Sequence, residues 1–468
     1  ARVVMRNGDL SVIASDGRQY HLRDPKVKVV FPSMGRTLSE MAAAAFQGLG
    51  VRAKAVPLPD FSTLMRGRAN TCCKECLPLI LTTGSMLEYV ERRREPGEVL
   101  LYFMPTTNGN CRFTQYHVFL NRLIEKRRIE DLATFTLTSE NSYGGLGVGC
   151  VTTLLKGIVT ADVMDDIRNS LDTLAVDRQA ALGVWQAQWD EILRCFSAGC
   201  RDLYGLLEDV AARLAEVPLK KPLHAAMRVA LAGEIFVRKD EFSSHQVVEA
   251  LKRRQIVVHR APMVEWLRYI DFWAQKIDSR GLSVLDRLKL SVRSAVFQNI
   301  ERKIKRILSR SGLCEPSLAE VEPLVEVGSH FVNPKFGGET ILVIGRFFTG
   351  ILREFHGLIS IGPFACLPTR VIQSILTPES KVSGNRAVAA LPGAEAFSAF
   401  ASLPFLSVEC DGNPLPQVIE AELEAFCLQV ERVHRKLQSN ELAEGLLRVD
   451  GSHELLPRLV RRLAARVS

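Results

Sequence analysis

Apolar positions along the chain fall into short unbroken runs, separated by segments in which they recur every third or fourth residue. That is the pattern of buried strands alternating with amphipathic helices. Val27–Phe31 (VKVVF) predicts a buried strand, 38–49 an alanine-rich helix and 51–56 the next strand, which together make a βαβ unit and imply a parallel sheet. The alternation continues through a helix over 77–93, a strand over 99–104, a helix over 113–126 and a strand over 134–137. From 156 to about 219 the spacing stays helical, with Trp185, Trp189 and Leu193 on one stripe, which predicts a connector or cap. A second alternation begins at Met227: strand 228–233, helix 244–253 and strand 256–259. A helical stretch over 285–309 interrupts it. The pattern then resumes with helix 338–355, strand 357–361, a helix after Pro368, strand 404–408 and helix 417–437.

The expected fold class is therefore α/β, with two Rossmann- or flavodoxin-like parallel-sheet domains and a helical connector. Residues 1–25 read as an N-terminal extension, 26–150 as the first α/β domain and 151–221 as the connector. Residues 222–440 read as a second α/β domain with a helical insertion, and 441–468 as a C-terminal helical tail. A chain of 468 residues, 47% of them hydrophobic, is long enough for more than one core.

Charge and cysteine usage narrow the function classes. The net charge of +8 is a small excess of 60 basic over 52 acidic residues, and it does not imply nucleic acid. The most basic stretch, 302–310 (RKIKRILSR), alternates charge with apolar residues at helical spacing and lacks interleaved aromatics, so it reads as a solvated helix face. No apolar run approaches the roughly 20 residues of a membrane span, and no charged-then-apolar leader pattern opens the chain. Eleven cysteines, an odd number scattered over a long chain, argue against a secreted disulfide framework. A cytoplasmic protein is expected. The opening Ala1-Arg2-Val3-Val4-Met5 is what a processed subunit or part of a longer polypeptide would show.

Three cysteines stand where a strand or loop turns into a helix. Cys76 begins Cys-Leu-Pro-Leu, Cys111 follows the predicted strand over 99–104, and Cys366 begins Cys-Leu-Pro-Thr. In open α/β sheets ligands gather beyond the carboxyl ends of the strands, where helix N-termini favour negative charge. The Cys-Leu-Pro echo suggests two similar halves facing one cleft with an iron–sulfur cluster between them. On spacing alone two other readings stay open: buried free thiols acting as small apolar side chains, and, at Cys73-Lys-Glu-Cys76, a zinc half-site or redox pair. No second CxxC or nearby histidine pair completes a zinc site. Cys195, Cys200, Cys314 and Cys427 sit in predicted helices or linkers and read as structural.

The remaining candidates are weaker. The run Gly144 to Gly149 is not a phosphate loop, since no Lys-Ser/Thr follows, and reads as a turn near the cluster; no nucleotide site is expected in the chain. Glu234 ends a predicted strand and is a candidate proton donor, with a helix cap or salt bridge as the plainer alternative. Arg112 and Arg370 follow the cysteine motifs and suit a negative centre, unless they are simply exposed; His117 and His356 read as packed or exposed.

Four motifs in order carry a family resemblance. They are Lys74-Glu-Cys-Leu-Pro, Met104-Pro-Thr-Thr-Asn-Gly-Asn-Cys-Arg-Phe-Thr-Gln-Tyr116, Ile361-Gly-Pro-Phe-Ala-Cys-Leu-Pro-Thr-Arg370, and Asp411-Gly-Asn-Pro-Leu-Pro-Gln417 with Glu424-Ala-Phe-Cys-Leu-Gln429. Over about 27–438 the chain resembles the iron–sulfur region of the large acyl-CoA dehydratase activase-like proteins. More distantly it is similar to 2-hydroxyacyl-CoA dehydratase and benzoyl-CoA reductase subunits and to double-cubane cluster proteins. The resemblance implies a 4Fe-4S cluster on Cys76, Cys111 and Cys366. Cys72, Cys73, Cys150 and Cys410 are extra thiols beside the motifs, the complement a double-cubane 8Fe-9S cluster would require. It further implies an electron acceptor reduced by an ATP-hydrolysing iron–sulfur activator, either a separate protein or a missing region of the same polypeptide, and a homodimer or larger complex. Three roles follow as expectations: a reductase component passing low-potential electrons to a small substrate, a radical 2-hydroxyacyl-CoA dehydratase, or a non-catalytic electron-transfer or maturation subunit.

Overall fold

A computed structural model of the chain describes residues 1–6, 9–72, 74–106, 111–136, 147–277, 283–351, 353–382 and 400–438. Two four-stranded parallel sheets organise it. The first contains β4 (Val27–Phe31), β5 (Ala53–Ala55), β6 (Val99–Phe103) and β7 (Leu132–Phe135) in the order β5-β4-β6-β7. The second contains β8 (Met227–Gly233), β9 (Ile256–Arg260), β10 (Leu358–Pro363) and β11 (Phe405–Cys410) in the order β9-β8-β10-β11. Within each sheet the first strand lies between the second and the third, so the two share one topology. Helices cover both faces, which is why β4 and β10 are buried at every position and read as apolar runs without alternation.

Helices α1 (Arg36–Gly48), α2 (Phe61–Arg68), α3 (Leu77–Arg92) and α4 (Tyr116–Lys126) serve the first sheet. α2 and α3 cross closely: a Cβ on Gly67 would stand 2.0 Å from the Ile80 carbonyl oxygen, and one on Gly84 would stand 2.1 Å from that of Thr63. The connector is three helices, α5 (Gly147–Leu174), α6 (Arg178–Ser197) and α7 (Leu203–Ala215). It packs with α1 around the stacked, fully buried Trp185 and Trp189, whose ring centroids are 5.8 Å apart. The second sheet carries α8 (Ile235–Lys239), α9 (Glu241–Arg253), α14 (Leu367–Glu379) and α15 (Gln417–Gln438). The predicted insertion is larger than its sequence signal, comprising α10 (Met263–Phe272), α11 (Val284–Leu308), α12 (Val321–Gly328) and α13 (Thr340–Gly350). Among the described residues no helix is long and apolar enough to cross a membrane.

Two expectations need correction. Residues 1–25 are more than an extension: β1 (Arg2–Arg6), β2 (Asp9–Ile13) and β3 (Gln19–His21) form an antiparallel sheet. Its Leu10, Val12, Ala14 and Leu22 join the core of the first sheet. The last three residues of the Gly144 to Gly149 run begin α5, where a turn was expected; 137–146 lie outside the described residues. Cys195 and Cys200, read as structural, are disulfide-bonded to each other across the C-terminus of α6.

The sheets are joined by a shared apolar cluster. Leu64, Leu77, Ile80 and Leu81 of α2 and α3 pack with Val229, Leu231 and Val237 of the second unit. Gly412, at φ +90°, brings the loop after β11 against this seam, where a Cβ would meet Leu64 at 2.8 Å. Polar contacts line the same seam. The Ser33 hydroxyl donates to Asp240 (3.3 Å), the Arg36 N–H to Glu241 (3.1 Å), and Arg68 to the Asp411 carbonyl (2.9 Å) and to Asn413 (3.1 Å).

Candidate metal centre

Because the sheets share a topology, each offers its crevice at the same place, beyond the carboxyl ends of its first and third strands, where the strand order switches side. Cys111 follows β6 and Cys366 follows β10, the third strand of each sheet. Cys76 caps α3 and Cys366 caps α14 in matching extended conformations (φ −61°, ψ 143° and φ −70°, ψ 123°), each with proline just inside the helix. Proline there uses a position whose N–H would be unpaired anyway. Neither thiol makes a capping hydrogen bond, so the first-turn N–H groups stay directed at the sulfur region. Cys111 caps a short 3-10 turn, and its sulfur accepts from the Phe113 N–H at 3.5 Å.

Electrostatics link Cys76 with Cys111 and place all three thiols within reach of Glu234. Burial raises Cys76, opposed by the nearby Tyr116 hydroxyl and by the Arg112 guanidinium. Cys111 is exposed on one side, yet enough protein surrounds its sulfur that desolvation pushes the thiol up to about 11, and Glu339, Glu234 and Cys76 act in the same direction. Burial pushes Cys366 up to about 12; Thr369, whose N–H and hydroxyl stand nearby without meeting hydrogen-bond geometry, works against it, while Glu339 and Glu234 add to the rise. All three thiols thus lie within electrostatic reach of Glu234, which ends β8 and caps α8 by accepting from the Val237 N–H at 2.8 Å. Glu234 is both things the sequence allowed, a helix cap and a crevice carboxyl. Desolvation, reinforced by Glu339, lifts it to about 7. Between these carboxyls Arg238 is buried, with one guanidinium nitrogen on the Gly233 carbonyl (2.9 Å) and its Nε without a partner.

The additional thiols divide. Cys72 is exposed on the Cys76 loop, and Cys73 lies outside the described residues. Cys410 ends β11 opposite Pro363, but its side chain is in the apolar seam, and the charges reaching it are Asp411, Glu409 and Asp240, not Glu234. Cys150 is buried on α5 near Arg23, where a crevice loop was expected. Asp162, which pairs with Lys239 at the crevice end, is about 18 Å further along the helix at 1.5 Å per residue. Cys150 therefore stands at the opposite end of the first sheet. Cys314 and Cys427 lie within apolar clusters. His356 precedes β10, away from the crevice, and accepts from the Arg228 N–H while contacting His434 at 3.0 Å. Tyr116, Arg238 and Glu339 are site residues that the sequence pattern did not reveal. Tyr116 closes the second motif, the one cue available; nothing in sequence marks the other two.

Among the described residues no group of three or more His, Cys, Asp or Glu side chains is arranged to hold a metal ion. A four-iron cube is larger than a single ion, so its thiol ligands stand further apart. The donor chemistry fits such a group: three soft sulfurs, two at helix N-termini, in surroundings where burial keeps them protonated until a cation displaces the proton. No protein-family model matches the chain, and no curated protein matches it. The fold is that of two parallel α/β units of one topology joined by a shared apolar cluster, with Cys76, Cys111 and Cys366 each at the start of a helix or helical turn.

Proposed function

We propose that the chain holds a 4Fe-4S cluster on Cys76, Cys111 and Cys366 and relays low-potential electrons from an ATP-hydrolysing activator to a small substrate. The observation that carries the reading is the shared electrostatic neighbourhood of the three thiols around Glu234, with Cys111 and Cys366 each following the third strand of one of two sheets with the same topology. When bound, the cluster supplies one-electron transfer at a potential tuned by burial and by hydrogen bonds to sulfur. The chain's own groups serve that task. The Tyr116 hydroxyl stands near the Cys76 sulfur and favours its thiolate, the α3 and α14 N-termini favour negative charge on Cys76 and Cys366, and burial limits water at those two thiols. Glu234, near 7, exchanges a proton around neutral pH within reach of the thiols. The seam position of Cys410 and the remoteness of Cys150 favour a single cubane over a double one.

The test is iron and acid-labile sulfide on anoxically prepared protein, with EPR of the reduced state, for wild type and Cys366→Ala. About four irons and four sulfides per chain, lost in the variant, are expected for one cubane. A chain that carries no iron under those conditions refutes the reading.

A further inference from the structure

Arg112 is next to Cys111 and reaches the other two cysteine loops at once. One terminal nitrogen donates to the Lys74 carbonyl at 3.1 Å and the other to the Ala365 carbonyl at 3.4 Å. Lys74 stands two residues before Cys76 and Ala365 one before Cys366. Both acceptors belong to constrained backbone. The Glu75 carboxylate holds the N–H groups of Cys72 and Lys74, each at 3.1 Å, so the Lys74 peptide is pinned on both sides. Ala365 has φ +57°, a left-handed conformation that costs a residue with a Cβ and needs outside support. Among the described residues no carboxylate stands within ion-pair distance of Arg112.

We propose that Arg112 is the positioning residue of the three-thiol centre, a strap whose planar fork sets the Cys76 and Cys366 loops relative to Cys111 across the seam between the two units. The chemistry demands arginine. Its two terminal nitrogens point in fixed, separate directions and satisfy two acceptors together, whereas a lysine ammonium on a flexible stem is a single point charge. The side chain is exposed, so its contribution to overall stability is small and its effect falls on the geometry of the sulfurs.

This inference rests on the three-thiol reading, and anoxic reconstitution of the cluster separates the two. The full chain without cluster is reconstituted with Fe2+ and sulfide, and the iron and sulfide bound after desalting, and their retention against a competing chelator, are measured for wild type, Cys366→Ser, Arg112→Gln, Arg112→Lys and Arg112→Ala. Cys366→Ser is expected to retain little iron. Arg112→Gln and Arg112→Lys are expected to take up the same iron and sulfide per chain as wild type but to hold them about 10- to 100-fold more weakly against the chelator, as outer-shell partners of metal ligands do. Added guanidinium is expected to restore part of the retention of Arg112→Ala and none of that of Cys366→Ser, a rescue that a misfolded variant does not show. If Cys366→Ser retains iron like wild type, the three-thiol reading fails. If Cys366→Ser is depleted while Arg112→Gln or Arg112→Lys retains iron like wild type, that reading stands and the strap is overturned.

Discussion

Replacing Glu234 with glutamine makes a stability prediction whose size follows from the site. The carboxyl moves from the ordinary 4.5 to about 7, chiefly because the protein encloses it and Glu339 adds a like charge. Every tenfold gain in proton affinity on folding is worth about 1.4 kcal/mol, so the folded state favours the protonated form by at most about 3 kcal/mol. Glu234 as a residue is only partly buried, and water reaching it lowers the expectation to about 1–3 kcal/mol. A raised folded-state value means that this stability is fully present below pH 4.5 and is lost as pH rises through 7. Glutamine imitates the protonated acid and still offers an oxygen to the Val237 N–H. Glu234→Gln should therefore match wild type at pH 4.5 and exceed it by about 1–3 kcal/mol at pH 8. Urea unfolding at pH 4.5, 6, 7 and 8 measures this directly. Equal stabilities at pH 8, or parallel pH profiles, would refute the claim that the crevice burdens this carboxylate.

Further expectations follow from packing and covalent structure. Gly362→Ala would place a Cβ 2.2 Å from the Thr369 hydroxyl and should cost about 1–3 kcal/mol in urea unfolding, partly recovered when Thr369→Ala is added. Asp162 accepts from Lys239 (2.8 Å) and from the Met263 and Val264 N–H groups that open α10 (3.0 and 2.9 Å). Asp162→Ala leaves a buried ammonium and a helix start unpaired, and a loss of about 3–5 kcal/mol is expected from the same assay. Alkylation of the denatured chain before and after reduction should differ by two adducts, and Cys200→Ser should abolish the difference, as seen by mass spectrometry.

The parallel sheets were legible because their strands are covered on both faces. Runs such as Val27–Phe31 have no solvent side to blur them, and the strand and helix order of both units follows the pattern closely. The N-terminal sheet was not legible, since its strands are short and mix charge with apolar residues at β1 and β2. Cys150 was misplaced because a glycine run reads as a turn, while here its last residues start a helix held by packing against α1. The placement of Cys76, Cys111 and Cys366 at the start of a helix or helical turn was legible, and the structure has them there. Glu339 and Arg238 were not, since their role comes from burial between elements far apart in sequence.

The strap between Arg112 and Ala365 joins residues 253 positions apart. During synthesis at about 5–20 residues per second, roughly 13–50 s separate the emergence of its two ends from the ribosome. Throughout that interval Cys76 and Cys111 exist without Cys366 and without a complete second sheet. If those thiols hold the proposed cluster, it can form only after the second unit has been translated, and the sulfurs of the first unit have to stay reduced and unliganded until then.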